Sequence, residues 1–178
     1  MNTPLVLTFI GEDKPGLVNA ISEKIAACGG TWLESRLAHL AGEFAGILMI
    51  GVSEERIEDL TAALRVLEAT GLRIAVKRSL PRAEKKDGAT LVLNLLGHER
   101  PGIVRDVTQA LTDLGVNIEE FSSEIESAPF TGAELFRAKA RLHVPDDIAS
   151  EHVQTTIERL AAEIMVDLTV SDEASEPR

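Results

Sequence analysis

The stretch Leu5-Val6-Leu7-Thr8-Phe9-Ile10-Gly11-Glu12-Asp13-Lys14-Pro15-Gly16-Leu17-Val18 returns 86 positions later as Leu91-Val92-Leu93-Asn94-Leu95-Leu96-Gly97-His98-Glu99-Arg100-Pro101-Gly102-Ile103-Val104. Seven of the fourteen pairs are identical, and most of the rest are conservative, such as Asp13 to Glu99 and Lys14 to Arg100. A solenoid repeats every 20 to 50 residues or so, and a period this long marks a duplicated domain instead. The 178-residue chain is therefore expected to fold as two modules of roughly 80 residues each. Domains that small bury only about 60 to 65% of their unfolded surface. Each is expected to lean on its twin or on a second chain.

Both halves read as strand, helix, strand, strand, helix, strand. Leu5 to Ile10 is a short apolar run ended by Gly11, as in a strand buried on at least one face. Pro15 is then expected to open a helix, because its missing N–H costs nothing in the first turn. Leu17, Ile21, Ile25 and Cys28, with Val18 beside them, recur at helical spacing, and Gly29-Gly30 stops the run. Thr31 to Leu37 and Phe44 to Val52 read as strands joined at Ala41-Gly42-Glu43. Ser53 is expected to cap a second helix carrying Ile57, Leu60, Leu64 and Leu67, with Glu54 and Glu55 at its positive end. Gly71 ends that helix, and Leu72, Ile74 and Val76 alternate through a last strand.

The second half repeats this with Ile103, Val107, Leu111 and Leu114, then Val153, Ile157, Leu160 and Ile164, and a closing strand from Met165 to Val170. A six-residue insertion near Ser127–Gly132 predicts a longer hairpin between its middle strands. The expected organisation is a module over 1–78, a linker over 79–89 containing Pro81 and Gly88, a module over 90–170, and a polar tail over 171–178. Two helices on one face of four antiparallel strands is the economical α+β sandwich. Right-handed crossovers give the strand order 4-1-3-2, the ferredoxin-like βαββαβ arrangement.

The repeated turn is the first candidate for a binding site. Gly11 and Gly97 allow a ligand close to the main chain. A helix opening at Pro15 or Pro101 leaves the N–H groups of Gly16 and Leu17, or Gly102 and Ile103, free to seat a carboxylate. Asp13 and Glu99 can face an ammonium, and Lys14 and Arg100 can assist with the carboxylate. A small zwitterion, an amino acid, suits that arrangement. Shape alone also accounts for glycine and proline in such a turn, and it is the duplication in register that raises the functional reading.

Charge narrows the partners. The net charge is −11, split as −2 for residues 1–78, +1 for 79–89 and −10 for 90–178. Such a field repels phosphate backbones, so direct nucleic-acid binding is not expected. An apolar content of 44% and a charged content of 26% are those of an ordinary soluble domain. No apolar run reaches the roughly 18 residues of a membrane span. The start Met1-Asn2-Thr3-Pro4 lacks signal-peptide character, which makes the cytoplasm the expected location.

The lone Cys28 reads as a small hydrophobe, and Trp32 reads as core. His39, His98, His143 and His152 lack metal-ligand spacing, and only His98 stands in the repeated turn. Asn117 starts a strand, where it can hydrogen-bond a ligand or hold a turn. No catalytic triad, Cys-His pair, P-loop or dinucleotide fingerprint is present, so neither enzymatic activity nor a cofactor is expected.

The βαββαβ pattern with Gly-x-Asp-x-Pro-Gly at its first turn resembles the ACT domain, a regulatory module that binds small ligands, commonly amino acids. Trp32-Leu33-Glu34-Ser35-Arg36-Leu37-Ala38 followed by Gly42-Glu43-Phe44-Ala45-Gly46, with Gly115-Val116-Asn117-Ile118 and the Thr131-Gly132 loop before Phe136, is similar to tandem ACT regulators of glycine cleavage genes. That resemblance implies a cytoplasmic repressor without a DNA-binding domain, acting on the transcriptional activator of those genes and relieved by glycine or another amino acid. In ACT domains the ligand commonly lies between two domains, against a first strand–helix turn and the neighbour's second strand. Carried over, this implies ligand contacts at Gly11, Asp13, Gly16, Leu17 and Thr31, and at Gly97, His98, Gly102, Ile103 and Asn117. The two sites differ (Glu12 against His98, Thr31 against Asn117), which leaves open that one of them has lost binding.

ACT-like halves also precede hydrolase domains in phosphoserine phosphatases and formyltetrahydrofolate deformylases. The rival expectation is therefore an accessory subunit of an amino-acid or one-carbon enzyme, since about eight residues after the second repeat leave no room for catalysis. Exposed sheet edges make a homodimer a further expectation.

Overall fold

The chain divides into two compact units, Met1–Ala83 and Glu84–Arg178, each with its own hydrophobic core. In this computed structural model, residues 2–79, 88–127 and 133–172 are described. The first unit runs β1 (Asn2–Glu12), α1 (Leu17–Ala27), β2 (Thr31–Leu40), β3 (Glu43–Ser53), α2 (Ile57–Arg65) and β4 (Arg73–Arg78). The second runs β5 (Gly88–His98), α3 (Ile103–Asp113), β6 (Asn117–Ser127), β7 (Glu134–Pro145), α4 (Ser150–Ile164) and β8 (Val166–Asp172). Most of the expected linker, the tail beyond Asp172 and residues 128–132 of the expected long hairpin lie outside the described residues.

Both sheets are antiparallel, in the orders β2-β3-β1-β4 and β6-β7-β5-β8, which is the expected 4-1-3-2 read from the other edge. Strand periodicity decides which side chains meet the helices. Along β1, Leu5, Leu7 and Phe9 are buried, and Val6, Thr8 and Ile10 take the opposite face. β3 adds Leu48, Ile50 and Val52 to that core, and the helices close it with Ile21, Ile25, Leu60 and Leu64. The second unit repeats the plan with Leu91, Leu93 and Leu95, then Ala138, Ala140 and Leu142, under Val107, Leu111, Val153 and Ile157. Trp32 and Cys28 pack against the first core, as expected.

Local signals place the helix ends. Helix α1 closes with Gly29 donating to the Ala26 carbonyl and Gly30 donating to that of Ile25, both at 2.9 Å. Helix α3 closes identically, from Gly115 to Thr112 and from Val116 to Leu111. Those paired bonds satisfy carbonyls that would otherwise lack partners. The edge strands also match: β2 carries a bulge between Trp32 and Glu34, and β6 carries one between Ile118 and Glu120.

Three expectations need correction. Neither Pro15 nor Pro101 opens a helix; α1 begins at Leu17 and α3 at Ile103. Ser53 makes no side-chain capping bond, and a 3-10 turn over Glu54–Arg56 precedes α2. There, Glu54 accepts hydrogen bonds from Thr3, at 2.9 Å, and from Arg78. Met165 is not in the last strand. It sits at φ 54° where α4 ends, with 86% of its surface exposed.

A left-handed conformation brings Cβ too close to the carbonyl, a cost glycine avoids, and the first unit has Gly71 at the matching corner. We predict that Met165→Gly stabilises the second unit by about 0.5 to 1 kcal/mol. Denaturant unfolding reads this directly, and an unchanged or lower midpoint contradicts it.

Candidate functional site

The β1–α1 and β5–α3 junctions are each a Pro-Gly reversal followed directly by a helix. Gly16 lies at φ 93°, ψ −1°, and Gly102 at φ 90°, ψ 0°. Proline followed by glycine in that region is the signature of a type II turn. In the second unit the turn is closed by Ile103 N–H donating to the Arg100 carbonyl at 3.4 Å, so that amide is not free as the sequence suggested. The first helical bonds run from Ala20 to the Gly16 carbonyl at 2.8 Å and from Asp106 to the Gly102 carbonyl at 2.9 Å. No side chain caps either helix. The amides left for a ligand are therefore those of Leu17, Val18 and Asn19 in the first unit and of Val104 and Arg105 in the second.

The glycines at the strand ends serve packing. A Cβ on Gly11 would stand 2.9 Å from Leu72 Cδ2 and 3.1 Å from the Gly71 carbonyl. On Gly97 it would stand 2.4 Å from Val166 Cγ1. Close packing by Leu72 and Val166 is by itself sufficient reason for glycine at both positions.

The two turns differ in what lies over them. At Gly16, no atom falls within 4 Å of an added Cβ, and α1 has no acidic residue in its first turn. Lys14 pairs with Glu12 at 2.8 Å, and both remain more than half exposed. Asp13 is tied by its amide to the Gly42 carbonyl at 2.9 Å, and its carboxylate lies 3.7 Å from His39 Nε2. In the second unit, the Arg105 guanidinium lies 3.4 Å from the Cβ position of Gly102. Arg105 and Arg100 both bond Asp106, each at 2.8 Å through Nη2. Asp106 has no counterpart in the first unit, where Ala20 occupies the aligned position. The second turn thus supplies its own anion at the helix start, and the first is open.

Within each unit the expected ligand residues fall into two groups, a turn and a separate strand start. Gly11, Asp13, Gly16 and Leu17 share one turn; Gly97, His98, Gly102 and Ile103 share the other. Thr31 pairs with Gly51 and so stands level with Pro4, seven residues along β1 from Gly11. At about 3.3 Å per residue that is roughly 23 Å. Asn117 is equally remote from Gly97, because it pairs with His143, opposite Thr90. Gly97 and His98 also border a cleft of about 530 Å³ whose far wall is Ala161, Ala162 and Met165. Sequence reasoning missed His39, Arg105 and Asp106. Only Asp106 left a signal, as an acid at the place where the first copy has alanine. Among the described residues no cluster of metal-ligating side chains occurs, and no helix is long and apolar enough to cross a membrane.

These two sandwiches with Pro-Gly corners define a family: ACT domain models match residues 3–77 and 91–162, and the chain belongs to the ACT domain family. It is a tandem ACT-domain protein, similar to the glycine cleavage system transcriptional repressor of Escherichia coli strain K12. The two are 26% identical over 161 residues, covering 90% of this chain and 85% of the relative. The Shigella flexneri protein of the same name matches to the same extent. Among solved structures, an unknown protein from Galdieria sulphuraria has a TM-score of 0.85 and 28% identity, over 97% of this chain and 99% of its own. A second, 20% identical over 96% of this chain and 97% of its own, shares the fold with a TM-score of 0.72.

The Asp106 carboxyl, 23% exposed, is held below the usual carboxylate range, first by hydrogen bonds from Arg105 and then by those from Arg100. A folded pKa below the unfolded one stabilises the fold above the unfolded value of about 3.9, and that contribution is lost as pH falls through the folded pKa. Asp106→Asn is therefore expected to flatten the acid limb of the second unit's stability below about pH 4. Amide exchange in α3 across an acid titration measures this; an unchanged limb contradicts it.

Proposed function

We propose that the chain is a non-catalytic, amino-acid-responsive regulator that represses glycine cleavage genes. It acts in the cytoplasm by contacting their transcriptional activator protein and carries no DNA-binding surface of its own. Its membership of a family of regulatory domains and the names of its relatives support the regulatory class. The net charge of −11 disfavours direct DNA contact.

The observation that carries the ligand reading is the difference between the two corners. At the first, no side chain caps α1, and no atom falls within 4 Å of the Cβ position of Gly16. An amino acid's carboxylate accepts from Val18 and Asn19 N–H, aided by the helix dipole. Its ammonium is drawn to Asp13. At the second, Asp106 already holds Arg100 and Arg105, and the Arg105 guanidinium lies over Gly102. The effector site therefore belongs to the first unit. Binding switches the regulator only in so far as the ligand prefers one conformation over another.

Calorimetry with glycine, serine and related amino acids tests the sensing. Wild-type protein is expected to bind at millimolar concentration or tighter. Asp13→Asn is expected to weaken binding about tenfold, the size of one lost charge-assisted hydrogen bond, and Glu99→Gln to leave it unchanged. Absence of heat and of thermal stabilisation overturns the sensing, and equal losses in both variants overturn the assignment to one corner. Co-purification from the native host tests the partner. Recovery of an amino-acid or one-carbon enzyme in place of a transcriptional activator replaces gene regulation with an accessory-subunit role.

A further inference from the structure

Each sheet has a face that its own helices leave bare, and the two copies have diverged sharply there. On that face of the second unit, β7 carries Arg137, Lys139 and Arg141, flanked by Glu120 and Glu124 on β6 and Asp167 on β8. In the first unit the aligned positions of β3 are Ala45, Ile47 and Met49. Beside them stand Val6 and Ile10 of β1, and Leu33 lies 3.5 Å from the Cβ position of Gly51. In the whole chain Ile10 is 44% exposed, Ile47 50% and Leu33 51%. Over residues 6–10 and 45–49 the two central strands carry no charge and leave Ile10 and Ile47 in water, where the duplicate's central strands carry Arg137, Lys139 and Arg141. Such a face suits an interaction surface with an apolar centre and a charged rim.

We propose that this face takes the same face of a second copy of the chain, related by a two-fold axis running along the strands. The register defines three levels across the sheet, from β2 to β4: Glu34–Met49–Val6–Lys77, Arg36–Ile47–Thr8–Ala75 and Ala38–Ala45–Ile10–Arg73. The axis keeps the levels and lays β2 over the partner's β4, and β3 over its β1. Glu34 then faces Lys77 across the interface. At the other levels a large side chain meets a small one: Arg36 meets Ala75, Ile47 meets Thr8, Arg73 meets Ala38 and Ile10 meets Ala45.

A two-fold axis across the strands would instead set Arg36 against Arg36. The strand-parallel axis applied to the second unit would set Glu124 against Asp167. Self-complementarity therefore singles out one face and one operator. Packed sheets lie about 10 Å apart, so these side chains reach. The projected face measures roughly 20 by 20 Å, or about 400 Å² per copy, less than the ~800 Å² a side of a standard interface. The dimer is reversible and depends on concentration.

Sedimentation velocity on the full chain over a wide concentration series is the test, and it does not depend on the regulatory reading. The wild type is expected to pass from monomer to dimer. Ile47→Glu, at a half-exposed position, is expected to remain monomeric with unchanged circular dichroism and melting. Glu34→Lys is expected to weaken the dimer about tenfold, and Glu34→Lys with Lys77→Glu to restore it to within a few fold. A monomer at every concentration overturns the proposal, as does a dimer that survives Ile47→Glu or a double swap that fails to restore. A dimer lost only on Arg36→Pro, which blocks edge-strand pairing, overturns it too.

Discussion

The left-handed glycine after proline is the constraint on which each module depends. A strand that ends in the middle of a four-stranded sheet must reverse and start a helix on one chosen face within a few residues. Proline sets φ for the first corner of the reversal, and glycine takes the second at φ near 90°, where a side chain would be strained. The helix can begin only after that glycine, so its unsatisfied amides emerge beside the corner. Fold and candidate site thus follow from one piece of backbone geometry. The same corner fixes where Leu17 and Ile103 enter their cores.

Duplication gave the chain two copies of this corner and two bare sheet faces, and both pairs have diverged. One corner is open, and the other is crossed by Arg105 and supplied with Asp106. One bare face has an uncharged centre between charged edge strands, and the other has a central row of arginine and lysine among carboxylates. Both differences arise from side chains at positions the shared fold leaves unconstrained. The first unit therefore gathers the features suited to ligand and partner contact, and the second carries most of the net negative charge.

Much of the architecture is legible in the residues because buried strands and helices impose period and composition. Leu5, Leu7 and Phe9, or Ile21 and Ile25, can hardly be arranged otherwise. Pro15 was harder to read, since proline suits both the first helical position and the first corner of a type II turn; the glycine after it is what decides. Met165 ends α4 at a place where the first copy has glycine, so the boundary has no local marker. The crossing of the second corner is not legible in the sequence. Nothing in the order Arg-Pro-Gly-Ile-Val-Arg-Asp reveals that Arg105 folds back over Gly102. Gly11 and Gly97 admit two readings at once, because close packing by Leu72 and Val166 demands glycine as strictly as a ligand would.

The bulge near the start of each edge strand acts as a frame-shift within the protein. A strand alternates with a frame of two, and the extra residue at Leu33 or Glu119 resets which positions fall on the leucine side. Were that residue kept without the bulge, Glu34 and Arg36 would turn inward. The hairpin tip is under no such parity, and the sequence lengthens between β6 and β7 while the bulge keeps its place. A single-residue insertion within the edge strand must be absorbed by a second bulge or reverse the strand's alternation, whereas one at the tip need do neither.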